Sequence, residues 1–453
     1  MHNKLLLITV ISLSQLSAQQ KPNADSVLQQ VLQRLDSLEK ENRALVDEVH
    51  ALRQEIAGSQ PQTAVAAGTP AQIDQAPLPE RVAVNEDRIG EQAQTKVEAA
   101  QKFPISLNGM LLFNSFLNSA GAGSYATNYE VLTGPGSAGA TLRQSLLGFD
   151  MQGPALPGGG QVHASLLMDF GGGSSEPGVN WFRLRRGTVS LDWDNRSFSV
   201  GQDKPLISPY APDSLAEVLV PPLAGAGNLW LWLPQARYEE RIHLGESSGL
   251  TGQIAVMQTD EKYQTVPDEY ASLLQPARPA LEGRFAFWHK IDDNRRFEFA
   301  PGFHVSTTHV AGYSVSSRLV SFDWNMTPWS KLAITGSAYH GANPAGLGSL
   351  GNGFAFLPNG TVRKVQSSGG WTQLSIPLTS RLKFNLFGGI ETDNGGGALI
   401  NPVVRNLTYA SNLMYHLGPN VVVSFEALQM RMHLLSGLNE NREHYDLAFG
   451  YLF

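Results

Sequence analysis

The chain has 453 residues, of which 16% are charged, with a net charge of −7 and no cysteine. That length suits two or three soluble domains, or one large barrel with an appendage. The acidic balance argues against a nucleic-acid partner, and the missing cysteines exclude disulfides and thiolate metal sites.

The first residues read MHNKLLLITVISLSQLSAQQ. Lys4 gives a positive start, Leu5 to Leu16 an apolar run, and Ser17-Ala18 a small-residue exit. This pattern predicts a secretory signal peptide over residues 1–18, too short to span a bilayer. Gln19 after the expected cut excludes a lipidated cysteine there. No later apolar run is long enough for a spanning helix, which leaves an exported soluble protein or a membrane barrel.

Leu28, Val31, Leu35, Leu38, Leu45, Val49, Leu52 and Ile56 then recur at steps of three and four, with Asn42 in register. The spacing predicts an α-helical coiled coil within 19–57, ~43 Å long at ~1.5 Å per residue. A seam this narrow favours an oligomer over a helix packed on its own domain. Its mixture of Leu and Val at the core positions leaves the oligomer order open. Residues 58–102 read as a Pro-, Ala- and Gln-rich linker with a short helix near 81–102.

From residue 103 to 453 the texture changes to alternating segments of about ten residues. Sixteen are marked: 104–118, 141–152, 160–170, 181–192, 195–203, 235–244, 250–258, 280–290, 294–306, 312–324, 330–341, 365–378, 381–391, 403–416, 421–431 and 443–453. Long Gly-, Pro- and Asn-rich connections, among them 204–234, 342–364 and 432–442, alternate with short turns; 307–311 is the one short connection out of place. This predicts an all-β transmembrane barrel of about 16 antiparallel strands in the outer membrane. One face of the segments is apolar and the other charged, as in Leu382, Phe384, Leu386 and Ile390 against Lys383, Asn385 and Glu391. The final segment carries Tyr445, Leu447, Phe449, Tyr451 and Phe453 on one face. Tyr451 and Phe453 resemble the assembly signal that outer-membrane proteins present to the barrel-assembly machinery.

Two motif matches lack the context their chemistry requires. GESSG (245–249) matches a nucleophile elbow but joins two strand segments instead of a strand and a helix. GLGSLG (346–351) matches a dinucleotide fingerprint with no helix pattern behind it, and reads as a flexible outer loop. No pair of histidines has metal-ligand spacing. The sequence therefore suggests no catalytic residue, no metal and no cofactor.

The longest connection, within VGQDKPLISPYAPDSLAEVLVPPLAGAGNLWLWLPQARYEER (200–241), is too apolar to stay in solvent. It is expected to fold inward and narrow a pore, with a subunit latch as the alternative. Gly201-Gln202, Pro212-Asp213-Ser214-Leu215, Pro234-Gln235 and Arg237-Tyr238, behind an exported coiled coil, resemble the DcaP-like trimeric porins and, more loosely, the porin O and P group. The resemblance implies a homotrimer, a periplasmic coiled coil and a preference for small anionic solutes. Asp203 and Lys204 stand where that family is expected to carry hydroxyl residues.

Acids slightly outnumber bases from residue 103 onward, so selectivity must come from local charge. Strand phase points Arg186, Arg237, Arg241, Arg284, Arg296, Arg318 and Lys383 inward, against Asp169, Glu239, Glu282, Glu298 and Asp446. Arg237 and Arg241 are expected at the constriction. Arg186 and Arg296 are expected to complete a basic wall facing Asp213 and Glu217. The resulting expectation is an outer-membrane porin for passive diffusion of small hydrophilic, anionic solutes, with lipid and solute as partners. The rival readings are an anchor that ties the membrane to peptidoglycan through the coiled coil, and a barrel enzyme.

Overall fold

A computed structural model describes residues 105–122, 134–173, 180–216, 220–357, 359, 361–394 and 401–453. The expected signal peptide, coiled coil, linker and short helix lie outside the described residues, as does Glu217. In chain order the first strands are β1 (Ile105–Asn118), β2 (Ser137–Thr141), β3 (Leu146–Leu156), β4 (Gly160–Gly172), β5 (Trp181–Asp192) and β6 (Arg196–Asp203). Next come β7 (Leu233–His243), β8 (Ser248–Asp260), β9 (Ala277–Lys290), β10 (Arg296–Val310), β11 (Tyr313–Trp329) and β12 (Leu332–Ala342). The short strands β13 (Phe354–Phe356) and β14 (Val362–Lys364) form a separate hairpin. The series ends with β15 (Gln366–Pro377), β16 (Leu382–Asn394), β17 (Val403–His416), β18 (Val421–Leu434) and β19 (Asn439–Leu452).

Neighbouring strands pair antiparallel, and β19 closes onto β1 from Met110 opposite Leu452 to Asn118 opposite His444. Both β2 and β3 pair with β1, so together they are one interrupted strand and the closed barrel has sixteen. At the interruption Ser145 Oγ accepts from the Leu112 N–H at 2.9 Å and donates to the Leu112 carbonyl at 3.3 Å. The hydroxyl replaces the ladder bonds of a continuous strand. All sixteen segments expected from the alternation coincide with barrel strands.

The connections follow the expected two-ended pattern, with one correction. β10 and β11 are joined by Ala311-Gly312 alone, at φ 49° and 80°, the double positive φ of a tight hairpin. The span 432–442, expected as a long loop, is mostly strand, and only residues 435–438 turn. Its polar residues continue the ladder, as in His433 Nδ1 to Asn439 Oδ1 at 2.9 Å. Above the apolar band a strand needs no apolar face.

Apolar side chains stand on the outside, as at Val320 (61% exposed), Phe285 and Leu447, while Glu282, Asp323 and Asn385 are buried within. That inversion holds fully only in the lower half. Toward the loop end the inner wall also carries Trp371, Phe387, Leu428, Met430 and Met432 in one apolar cluster. Something apolar must cover them, and the third outer loop does. The GLGSLG segment is not a loose loop either. Ala345–Leu347 form a buried turn, with Leu347 packed beside Trp230 and Leu231. The Thr265 N–H, from the outer loop between β8 and β9, donates to the Gly351 carbonyl at 3.0 Å.

Candidate pore constriction

The third outer loop (204–232) leaves β6, crosses the lumen and returns to β7. Its first turn stays on the near wall, where the Leu206 N–H donates to Glu282 Oε2 at 2.6 Å. Tyr210 donates to Glu298 Oε1 at 2.8 Å, and burial pushes its hydroxyl up to about 12, so it remains a donor. The next residues reach the opposite wall. Asp213 N–H donates to Gln373 Oε1 at 2.6 Å and its carboxylate pairs with Lys383. Ser214 donates to Glu426 Oε2 at 2.6 Å, and Asn114 donates to the Leu215 carbonyl at 2.6 Å.

The return limb is apolar. Leu223 and Ala226 pack into the far-wall cluster, and Leu229, Trp230 and Leu231 into a near-wall cluster with Met257, Leu319 and Tyr339. The loop backbone reaches the wall at Gly227 (φ 97°), where a Cβ would lie 2.4 Å from the Gly370 nitrogen. Only glycine allows that approach. The apolar content that made this loop stand out in the sequence is thus spent on covering inward-facing aliphatic side chains.

Between the loop and the wall of β4–β9 lies a cavity of about 320 Å³ bordered by Arg185, Arg186, Lys204, Arg237, Arg284 and Asp203. Trp232 and prolines of the loop form its apolar side. Most of these cations are already engaged. Arg284 grips both Asp323 oxygens at 2.8 and 2.7 Å, reaches Glu298 at 2.7 Å, and lies over the Tyr210 ring. Arg183 and Arg185 both reach Asp169 Oδ2 at 2.5 Å, and both guanidinium groups sit 5.3 Å from the Trp232 ring centroid. Arg237 donates to Gln235 Oε1 at 2.8 Å, to the Lys204 carbonyl, and lies 3.3 Å from Asp203. Among the described residues none bonds or ion-pairs with the Arg186 side chain, although it is exposed to the cavity.

The pairing of Arg185 with Arg186 has a local cause. Leu167 faces Arg186 and Met168 faces Leu184, so Arg185 is the extra residue of a bulge in β5. A bulge breaks the inside–outside alternation, and both adjacent arginines enter the lumen. Ladder pairing of β5 with β6 starts only at Gly187 opposite Gln202. Gln202 Nε2 donates to the Leu184 and Arg185 carbonyls at 3.1 and 3.3 Å, supplying the partners that β6 does not. At Gly201 a Cβ would lie 2.0 Å from the Gly187 carbonyl oxygen. Gly201-Gln202 is therefore the device that shapes the basic wall.

Of the residues expected at a constriction, Arg186, Arg237 and Arg284 come together here. Arg241 does not. It sits at the short-turn end, 2.6 Å from Glu239 and 3.4 Å from the Asp194 carbonyl. Arg296 also starts its strand at that end, opposite Lys290. Arg318 faces outward: on β11 Val315, Ser317, Leu319 and Asp323 are buried while Arg318, Val320 and Phe322 are exposed. Val315 and Leu319 face inward because loops cover them, so charge does not mark the inner face here. Asp213 lies against the far wall with Lys383 instead of facing the basic wall. Arg183, Arg185 and Trp232 were missed; the run RLRR (183–186) was the available sign.

No protein-family model matches the chain, and no curated protein matches it in sequence. Solved structures do. The outer membrane channel DcaP of Acinetobacter baumannii superposes with a TM-score of 0.64 at 14% identity, over 78% of this chain and 97% of that one. An anion-selective porin from Comamonas acidovorans gives 0.52 at 14% identity, over 78% of this chain and all (100%) of that one. The fold is that of the outer-membrane porins.

Proposed function

We propose that this protein is an outer-membrane porin, a passive diffusion channel for small hydrophilic solutes with a preference for anions. The observation that carries the reading is the inward loop with a basic wall beside it, in which Arg186 has no carboxylate partner among the described residues. Fixed charge at a narrow point sets ion preference, and guanidinium groups suit carboxylate and phosphate oxygens. The likeness to a porin described as anion-selective supports the same direction. The finer assignments belong to this proposal: export by residues 1–18, insertion through the barrel-assembly machinery, a homotrimer, and a coiled coil in the periplasm that can reach peptidoglycan.

Planar-bilayer recording in a salt gradient tests it. The purified protein is expected to open stable steps with a reversal potential on the anion side, and Arg186→Gln to move that potential toward the cation side at similar conductance. Absence of steps would leave the anchoring role as the better reading. Steps with an unchanged reversal potential in the variant would remove Arg186 as the filter.

A further inference from the structure

The outer wall of the barrel carries a groove of about 590 Å³ across β12, β15 and β16, with Trp324 at one edge and Leu407 at the other. It exists because Ala338 stands opposite Gly370 and Gly388 opposite Thr372, small residues where other strands carry large side chains. Its lining is overwhelmingly apolar, broken by Ser368, Thr372 and Thr392. It lies outside the lumen and plays no part in the constriction.

Beside this groove the outward cations collect. Arg405 stands opposite Thr392, a groove residue, and Arg431 stands opposite Leu407, another. The Arg405 side chain is exposed and has no bonding partner among the described residues. Arg431 is held ready by the Tyr409 ring, 5.3 Å from its centroid, and by Gln429 at 3.0 Å. On the other side His340 bonds Ser368 at 2.8 Å, and Arg318 faces outward one step nearer the loops. The outward carboxylate in the same region, Glu443, is one strand farther, opposite Gln429.

An apolar furrow with guanidinium groups toward its loop end that have no carboxylate partner among the described residues matches one occupant, a lipid with phosphate on its headgroup. We infer that this face is a binding site for a phosphorylated lipid of the outer leaflet, with an acyl chain in the groove and phosphate oxygens on Arg405 and Arg431. Arginine forks engage phosphate by paired N–H bonds, and the low-dielectric surroundings strengthen them. The inference rests on the barrel lying in an outer membrane, and not on its conducting.

The test uses full-length detergent-purified protein and measures binding of bis-phosphorylated lipid A by native mass spectrometry, with dephosphorylated lipid A as control. The phosphorylated form is expected to bind more tightly, and Arg405→Gln with Arg431→Gln to weaken it about 25-fold, at about fivefold per arginine. Thr372→Trp fills the groove without backbone strain and is expected to weaken both forms. Unchanged heat-modifiable mobility and single-channel conductance of these variants would show that barrel and pore are intact. Equal binding of the two lipid forms, or unchanged binding in the arginine variants, overturns the inference. So does efficient cross-linking between two protomers through a cysteine placed at Ser368, which would assign the face to a second copy.

Discussion

At the scale of single residues the basic wall contains two kinds of cation. Arg284 is buried against Asp323 and Glu298, and its removal leaves two carboxylates facing each other in a poorly solvated place. Breaking such a pair costs roughly 3–5 kcal/mol, because the charge left behind is uncompensated. Arg284→Met is therefore expected to lower resistance to urea unfolding in lipid vesicles by that amount, with Arg284→Met/Asp323→Leu recovering much of it. Arg186 is the opposite case, exposed and without an ion-pair partner among the described residues, so Arg186→Gln is expected to change unfolding by less than about 0.5 kcal/mol while altering ion preference. Sequence parity found Arg186, Arg237 and Arg284, but it assumes unbroken alternation. At β5 the bulge defeats it and hides Arg185. At β11 the loop-covered Val315 and Leu319 reverse the polarity of the faces and misplace Arg318. Both failures are tertiary effects written into residues distant along the chain.

At the scale of elements the strands were legible because lipid on one side and water on the other impose period two on each of them. The loop was legible as inward-folding because its apolar side chains had no other shelter. Its anchor points were not, since Gln373, Glu426 and Asn114 are ordinary polar residues until the fold brings them to Asp213, Ser214 and Leu215. Replacing residues 206–230 by a short Gly/Ser linker removes the crossing and exposes the far-wall cluster around Phe387 and Met430. The expected result is a several-fold larger conductance with weaker selectivity, measured in bilayers. Gly227→Val is expected to act in the same direction more mildly, by pushing the loop tip off Gly370. Normal conductance in both variants would mean that the loop does not border the conducting path.

At the scale of the whole molecule the barrel depends on one seam that joins distant parts of the chain. β1 meets β19, and beyond the paired strands Gly109 and Phe453 exchange both backbone bonds, at 3.0 and 3.2 Å. The Phe453 ring occupies the place of a side chain at Gly109, where a Cβ would lie 2.8 Å from it. Gly109→Val is thus expected to reduce the yield of folded, heat-modifiable barrel, and Phe453→Ser to do so through assembly more than through stability. Deleting residues 19–80 is expected to weaken a trimer in mild detergent without unfolding the barrel, whose backbone bonds close within the sheet. Size-exclusion light scattering reads that outcome, and a full-length protein that is monomeric at micromolar concentration would exclude the trimer.

The loop that crosses the lumen also has a mechanical meaning. A hollow cylinder of hydrogen-bonded strands flattens easily under lateral pressure, because each hinge between strands yields a little. Here a cross-brace runs between opposite walls, tied to Glu282 and Glu298 on one side and to Gln373, Lys383 and Glu426 on the other. Flattening would have to stretch or buckle a member pinned at both ends. The bore of the proposed channel is thereby insulated from the tension and thickness of the surrounding bilayer.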